Sequence, residues 1–550
     1  MAAVERRAFE GSGGNDLGEF ALDRLSRRNA LRATALAAGG LTAGRVFTGD
    51  AAADPAGGVP PLGPVRALPD DARYPELVRR GHKRFVGTPD YVDVVGTTEQ
   101  VRRAVESAVR AGKRLAVRSG GHCLEDFVDS PGIRAVIDLS GLTQVYFDPL
   151  RQAFAVEAGA TLGEVYRRLF LGWNVTIPGG WCPKVGAGGH VAGGGYGVLS
   201  RRHGLVVDHL EAVEVVFVDA SGAARTVVAT RDPADPNHDL WWAHTGGGGG
   251  NFGIVTRYWL RTPGATGADP SRLLPNPPPM VLDFTAEWSW EGMDEAAFRR
   301  LATNHARWCA ENAAPGTPTD RFYAELILRD VGTGTHVLLG QASGADADAQ
   351  LDRFLDVLSE GVGRPVGVVR QWRPWLTAVF AGPDGSKLLR IKFKSGYLRE
   401  PFTGDQLGVI HRRLTETDTR GRVLGSVGLS SYGGAINAVA PDATATAHRD
   451  AVIKLLYVSA WEDPAQDAVH IDWIREFYRE VYADTGGVPD RRDGAYVNYP
   501  DVDLADPEVN RSGVPWHELY YKQNYARLSR VKARWDPLDV FRHALSVRPA

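Results

Sequence analysis

Two stretches gather reactive side chains among glycines. RSGGHCLEDF, residues 118–127, sets His122 and Cys123 directly after Gly120 and Gly121. GWCPKVGAGGHVAGGGYG, residues 180–197, holds Cys182, Val185, His190 and Tyr196 in a run where glycine recurs at Gly186, Gly188, Gly189, Gly193, Gly194 and Gly195. Linkers favour serine and polar fillers, and this run does not. Glycine in such a setting lets the backbone approach a large planar ligand and turn N–H groups toward phosphate without a lysine. A third run, GGGGGNFGIVT at 246–256, repeats the logic with Gly250, Asn251, Gly253 and Ile254. Three separated glycine turns point to one extended ligand lying across several loops, as a flavin dinucleotide would. None of them has the GxGxxG spacing that opens a dinucleotide-binding helix.

A flavin that oxidised an alcohol would need a partner group to take the hydroxyl proton. No Ser-His-Asp order, paired carboxylates or metal-ligand spacing stands out, but tyrosines do: Tyr196 ends the glycine run, Tyr397 sits in FKSGYLR, Tyr432 in SSYGG and Tyr499 in YVNYPD. A phenol ionises near pH 10, so a phenolate base needs cations or a second phenol beside it. Lys392, Lys394 and Arg399 flank Tyr397 and are either those cations or surface charges on alternating strand positions.

The elements that must hold these residues alternate between strand and helix signals from about residue 85. Thr98 is placed to cap a helix whose apolar residues Val101, Ala104, Val105 and Ala108 share one face, with Gly112 as its stop. Residues 115–117 follow as a short buried strand, and RSGGH is the turn leaving it. Residues 134–139 and 153–157 read as strands, and Thr161 with Glu164 forms a capping box for a helix through Phe170. Apolar runs at 210–219 and 224–230 flank Ala-Ser-Gly, a hairpin signal. A Pro/Gly-rich stretch at 262–279 marks a boundary, after which helical stretches such as 293–311 alternate with strands such as 322–329 and 388–393, a separate α+β unit. That unit carries Trp288, Trp290, Trp372 and Trp375, either ligand platforms or core.

The 550 residues, 43% hydrophobic and 23% charged, suit a globular chain of several domain-sized units. A net charge of −3 gives no field to recruit nucleic acid or an anionic membrane, so the expected partner is a small molecule. Three cysteines make neither a disulfide framework nor a CxxC pair. SRRNA at 26–30, followed by an Ala/Gly-rich run too short for a membrane span, resembles a twin-arginine export signal. Residues 1–53 are accordingly expected to be a signal and tail, giving an exported protein, or a cytoplasmic one if the segment is not a signal.

RSGGH, WCPKVGAGGHVAGGGYG, GGGGGNFGIVT, YVNYPD and the C-terminal WHELYYKQNYARLSRVKARWDPLDVF occur in an order that resembles the berberine-bridge-enzyme-like FAD-linked oxidases from about residue 70 to the end. The resemblance implies an α+β protein: a two-subdomain FAD-binding domain of the PCMH type (71–264) after a linker (54–70), a substrate domain with a large antiparallel sheet (265–490), and a C-terminal segment (491–550) returning to the FAD domain. It implies FAD bound covalently by His122 and by Cys182, and cradled by Arg118, Ser119, Gly120, Gly121, Val185, the glycines of the second run with His190, then Gly250, Asn251, Gly253, Ile254 and Asn498. Cys123 is left as a small buried filler. Tyr499 is implied as the base, with Tyr432, Tyr397 and Tyr196 around the substrate. Val185, three positions after the attaching cysteine, is the implied gate residue, and a small side chain there goes with dioxygen as acceptor. The expected activity is oxidation of a hydroxyl on a sugar moiety, polyketide or other secondary metabolite, yielding hydrogen peroxide. The alternative is oxidation of a carbohydrate at its anomeric carbon to a lactone. Monomer and homodimer both remain open.

Overall fold

The computed structural model describes residues 62–79, 82–382 and 389–550. The twin-arginine segment lies outside these residues.

Three sheets organise the chain. In the first, β1 (Val65–Ala67), β2 (Tyr91–Val94), β3 (Leu115–Arg118) and β4 (Ala135–Asp138) lie in the order β1-β2-β4-β3. β2 and β3 both run parallel to β4, and β1 is antiparallel to β2. β1 falls in the expected linker: backbone pairing of Val65 to Ala67 with Val94 to Val92 recruits it as an edge strand. In the second, β5 (Val145–Asp148), β6 (Ala153–Glu157), β7 (Leu210–Val218), β8 (Ala224–Thr230) and β9 (Ile254–Leu260) form the antiparallel order β5-β6-β9-β7-β8, and the expected hairpin is β7–β8.

The third sheet draws every strand from the later unit: β10 (Met280–Ser289), β11 (Phe322–Arg329), β12 (Thr335–Ala342), β13 (Gly367–Pro374), β14 (Arg390–Leu398), β15 (Leu424–Ser431) and β16 (Ile453–Trp461). It is wholly antiparallel, in the order β13-β10-β12-β11-β15-β16-β14. Helices Glu295–Glu311 and Ala347–Ser359 bury Phe298, Leu301, Leu351, Phe354 and their neighbours with the even-numbered β11 residues Phe322, Leu326 and Leu328. The odd-numbered residues Tyr323, Glu325 and Ile327 are left for the opposite face, because side chains alternate along a strand.

Local rules explain most element boundaries. Helix Thr98–Arg110 begins one residue earlier than expected. Thr97 is its cap, accepting from the Gln100 N–H, and Thr98 instead donates from its hydroxyl to Glu214 at 2.7 Å. The capping box of Thr161 and Glu164 is present, opening helix Leu162–Trp173, which runs three residues past Phe170 to a left-handed Asn174. Trp288 and Trp375 are core, whereas Trp372 is exposed.

One buried ion network joins three distant parts of the chain. Lys392 and Lys394 share a face of β14 and are fully buried, not surface charges. Lys392 Nζ bonds to Glu125, three residues after His122, and to Asp501, two residues after Tyr499, at 2.7 Å. Lys394 bonds to Asp501 and Asp503, each at 2.7 Å, while Arg84 closes on Glu125 at 2.8 Å and Arg475 on Asp503 at 2.7 Å. Burial alone would lower the Lys392 pKa, but Asp501, Glu125 and Asp503 together raise it. Breaking a buried pair strands a charge without its partner. Lys392→Met is therefore expected to cost about 3–5 kcal/mol, measured as a lowered denaturant midpoint; an unchanged midpoint would mean the three segments hold together without the network.

Candidate active site

The FAD-side loops, the free face of the seven-stranded sheet and the C-terminal segment enclose one cavity of about 640 Å3. That volume lies within the roughly 300–1,000 Å3 of small-molecule and cofactor sites.

The RSGGH turn reaches the cavity because its first residues are tied down elsewhere. The Arg118 guanidinium is paired to Asp138 on the neighbouring strand, with Nε at 2.7 Å, and donates to the Leu77 carbonyl, so it is the Arg118 backbone that faces inward. Ser119 Oγ donates to the Ala158 carbonyl at 2.6 Å. Gly120 then crosses Gly186 backbone on backbone: a Cβ on Gly120 would stand 2.3 Å from the Gly186 nitrogen, and one on Gly186 would stand 2.1 Å from Ser119 Oγ. Only glycine permits that approach. On the other side, the N–H groups of Leu162, Gly163, Ala187 and Gly188 donate to Val185, Pro183, Ala160 and Ala158, which zips the second loop to the start of helix Leu162–Trp173. His122 and Cys182 consequently line the same cavity, with Val185 half-buried beside them. Cys123 lines it too and is half-buried, not the buried filler expected.

The glycines divide into two groups. Gly189 lines the cavity with no atom within 4 Å of a would-be Cβ; Gly249 has only Ala192, at 4.0 Å, and Gly250 only the His543 ring, at 3.7 Å. A side chain at any of these would project into the cavity, so their absence leaves room for a ligand lying along all three loops. With Gly121, Gly188, Gly248 and Gly253 also on the wall, the residues fit an elongated dinucleotide such as FAD. Gly193, Gly194, Gly195 and Ile254, expected at the cofactor, are not on the wall. Their Cβ positions or side chains face protein: Gly193 packs on Asn498, Gly194 on Thr446 and Gly195 on Val206, and Ile254 is 1% exposed, with Val255 facing the cavity instead. His190 accepts from the Gly180 N–H at 3.0 Å, and burial lowers its pKa to about 4, keeping it neutral. Asn498 Nδ2 donates to the His190 carbonyl at 3.0 Å and the Tyr496 hydroxyl at 3.2 Å. Asn251 lies on the cavity wall and braces its loop, donating to the Gly247 carbonyl at 2.9 Å and accepting from the Val547 N–H at 2.9 Å.

Across the cavity, cross-strand register sets out one polar row: Lys454 on β16, Ser430 on β15, Glu325 on β11 and Leu339 on β12 are successive partners, and all four line the cavity. Lys454 Nζ donates to the Tyr499 hydroxyl at 3.1 Å and lies 4.4 Å from the Tyr499 ring centre and 5.0 Å from that of Tyr196. Tyr323 donates to Glu325 at 3.0 Å. Burial, then the Glu325 carboxylate, pushes the Tyr499 phenol above its ordinary value, and burial lowers the Lys454 ammonium. An ammonium hydrogen-bonded to the phenol oxygen favours the phenolate in return.

The remaining tyrosines take other places. Tyr196 presents its ring to the cavity while its hydroxyl donates to the Ser431 carbonyl at 2.6 Å. Tyr397 and Tyr432, expected around the substrate, do not line the cavity. Tyr397 stacks on His448 with centroids 4.4 Å apart, and Tyr432 stands edge-on to it and donates to the His448 carbonyl at 3.3 Å. Lys392 and Lys394 differ in parity from Tyr397 and so point to the other face of β14, while Arg399 pairs with Asp493 at 3.1 Å. The cation at the phenol is Lys454 instead. It and Glu325 were missed, although Lys454 is the one charge in IKLLYVSAW and Glu325 the one charge inside FYAELILR before its terminal Arg329, which is a signal of a paired or functional position.

Residues 89–227 match the family described as "FAD binding domain" and residues 495–548 the one described as "Berberine and berberine like". The chain is 52% identical to the aclacinomycin-N/aclacinomycin-A oxidase of Streptomyces galilaeus, across 96% of this chain and 99% of that protein. It is 32% identical to the hexose oxidase of Chondrus crispus, across 87% and 93%. Among solved structures, glycopeptide hexose oxidase in complex with teicoplanin superposes with a TM-score of 0.85 at 49% identity, covering 89% of this chain and all of that one. Aclacinomycin oxidoreductase does so with 0.84 at 54% identity, covering 87% and 98%. Loops built to cradle FAD, a polar sheet face opposite them and these likenesses over nearly the whole chain agree: the protein belongs to the berberine-bridge-enzyme-like family of FAD-linked oxidases.

Proposed function

We propose that this enzyme oxidises a hydroxyl group on a sugar moiety of a secondary metabolite, with Tyr499 as the base, FAD held by His122 and by Cys182, and dioxygen as the final acceptor. The observation that carries the reading is the Lys454–Tyr499 hydrogen bond, set in the same cavity as the His122 and Cys182 side chains. The names of the relatives, an oxidase of aclacinomycins, hexose oxidases and a complex with teicoplanin, support the substrate class.

Bound FAD would supply the acceptor for the hydride. The chain's own residues do the rest. The phenolate oxygen of Tyr499 accepts the hydroxyl proton, and Lys454 holds that oxygen in place and stabilises its charge. Ser430 and Glu325, on the same row, are positioned to bond further ring hydroxyls, with Glu325 as an acceptor that a polyol satisfies and a flat hydrocarbon does not. Trp181, edge-on to Tyr323 with centroids 5.6 Å apart, offers an apolar wall to a sugar ring. Valine at position 185 leaves more room for dioxygen than a larger side chain would. Oxidation at the anomeric carbon to a lactone is the second reading, favoured by the likeness to hexose oxidase, and product analysis separates the two. Export by the twin-arginine route is part of the proposal, and activity in the culture supernatant tests it.

Three outcomes are expected. Tyr499→Phe lowers turnover by about 10²–10⁴-fold with flavin content unchanged; near-normal turnover would move the base elsewhere. The activity of a phenolate base rises with pH as the phenol ionises. Lys454→Met, by removing the cation, therefore moves the rising limb of the pH–rate profile to higher pH, and Glu325→Gln, by removing the opposing carboxylate, moves it to lower pH. A displacement by one pH unit changes the rate on that limb about tenfold, and displacements of the opposite sign would reject the assignment. Finally, protein precipitated with acid keeps its yellow colour, and mass spectrometry of its peptides finds flavin on both His122 and Cys182; unmodified peptides from active enzyme would reject the double attachment.

A further inference from the structure

Cys182 is strung between two anchors that belong to one helix. On its C-terminal side, the N–H groups of Gly163 and Leu162 donate to the Pro183 and Val185 carbonyls, each at 2.9 Å. On its N-terminal side, Tyr166, in the same helix Leu162–Trp173 and three residues after Gly163, donates its hydroxyl to the Gly180 carbonyl at 2.7 Å. The start of that helix is itself fixed by the Thr161 and Glu164 capping box. Tyr166 is buried behind the loop and not on the cavity wall, with its ring edge-on to Trp375 at a centroid distance of 5.9 Å.

The peptide held by Tyr166 is the softest point of the segment. Two consecutive glycines, Gly179 and Gly180, precede Trp181 and Cys182, and glycine leaves the backbone more conformations than any other residue. Packing restricts them here. A Cβ on Gly179 would stand 2.6 Å from the Tyr166 hydroxyl, one on Gly180 2.9 Å from the His190 ring, and one on Gly197 1.6 Å from the Gly179 carbonyl oxygen. With the His190 ring accepting from the Gly180 N–H and Tyr166 donating to the Gly180 carbonyl, both backbone polar groups of that residue are engaged. Burial, then the charge of the nearby Cys182, raises the Tyr166 phenol above its ordinary value, so the hydroxyl keeps its proton and remains a donor.

Joining a thiol to a flavin ring carbon makes strict demands on position. The S–H and ring C–H bonds break and a C–S bond forms; two protons and an electron pair pass to dioxygen, which leaves as hydrogen peroxide. The thiolate is the nucleophile, and a misplacement of about 1 Å costs such a step up to about 10²-fold. Resting on the reading that Cys182 holds the flavin, we propose that Tyr166 is a positioning residue for that attachment: its hydroxyl fixes the Gly180 peptide and, through it, the place of Cys182 Sγ. His122 does not depend on this bond, because the RSGGH turn is tied through Arg118 to Asp138 and through Ser119 to the Ala158 carbonyl.

The test reads attachment, not turnover. Wild type, Tyr166→Phe and Gly179→Ala are harvested at intervals after induction, and the proteolytic peptides bearing His122 and Cys182 are scored for flavin by mass spectrometry. The wild type is expected to carry flavin on both. Tyr166→Phe keeps full attachment at His122 and gains it at Cys182 about 10- to 100-fold more slowly, and its absorption spectrum follows that of Cys182→Ser, not that of the wild type. Gly179→Ala, whose added methyl displaces the hydroxyl, shows the same selective loss. Progress at Cys182 that matches the wild type in Tyr166→Phe overturns the assignment, and so does parallel loss at His122 and Cys182, which a general weakening of the fold would produce. Absence of flavin from Cys182 in the active wild type overturns double attachment itself and the role of Tyr166 with it, a result read from the wild type alone.

Discussion

The buried network around Lys392 and Lys394 is the constraint on which the site depends. His122 leaves the first sheet, Tyr499 belongs to the returning C-terminal segment, and the strand that bears the two lysines belongs to the seven-stranded sheet. No short-range rule brings these together. Glu125, Asp501 and Asp503 do, because each carboxylate finds its countercharge on β14. Such an arrangement is a poor source of net stability, since desolvating seven charged groups offsets most of the attraction between them. Its use is registry. A shift of β14 by one residue would turn both lysines to the opposite face, leaving Asp501 without a countercharge and Glu125 and Asp503 with only Arg84 and Arg475, so one placement of the three segments is favoured over its neighbours.

The same face-by-face alternation separates structural charge from chemical charge. Lys392 and Lys394 are saturated by carboxylates and can do nothing to a phenol. Lys454, on the neighbouring strand β16, has a phenol and, among the described residues, no carboxylate at hydrogen-bond distance, and so its ammonium is available to the Tyr499 oxygen. Glu325 sits two strands away in the same row and opposes that ionisation. The two charges hold Tyr499 between a cation that favours phenolate and an anion that resists it, a balance on which the proposed role of Tyr499 as base depends.

Legibility in the sequence follows the range of the interaction concerned. The capping box at Thr161, the hairpin at 219–223 and the alternating strand at 322–329 depend on neighbours in the chain, and each was readable there. The glycine runs were readable as ligand-cradling loops, yet not glycine by glycine. Gly189 and Gly193 are four residues apart in one short helical turn, and only the second meets an Asn498 that arrives from more than 300 residues away. The tyrosines were equally ambiguous. Tyr397 and Tyr499 sit in similar polar-aromatic surroundings in the sequence, and what separates them is which face of β14 and which turn of the C-terminal segment they occupy. Lys454 carried a local mark, a single charge in an apolar strand, but the mark does not name its partner, which lies 45 residues away in the C-terminal segment.

The sheet face also bears on what sets specificity in this enzyme. On the proposed reading, the row through Lys454, Ser430 and Glu325 holds the reacting hydroxyl and its proton. Selection among substrates that share such a hydroxyl must then come from contacts further out, where a group can bind without disturbing the base. Tyr323 and Gln341 occupy the intermediate row, with Tyr323 tied to Glu325. Arg321 and Ser343 are the first pair beyond it, at the strand ends, where residues 276–280 and 198–203 come close. Strand residues near Tyr499 are held by ladder bonds on both sides, whereas segments beyond the strand ends carry fewer such constraints.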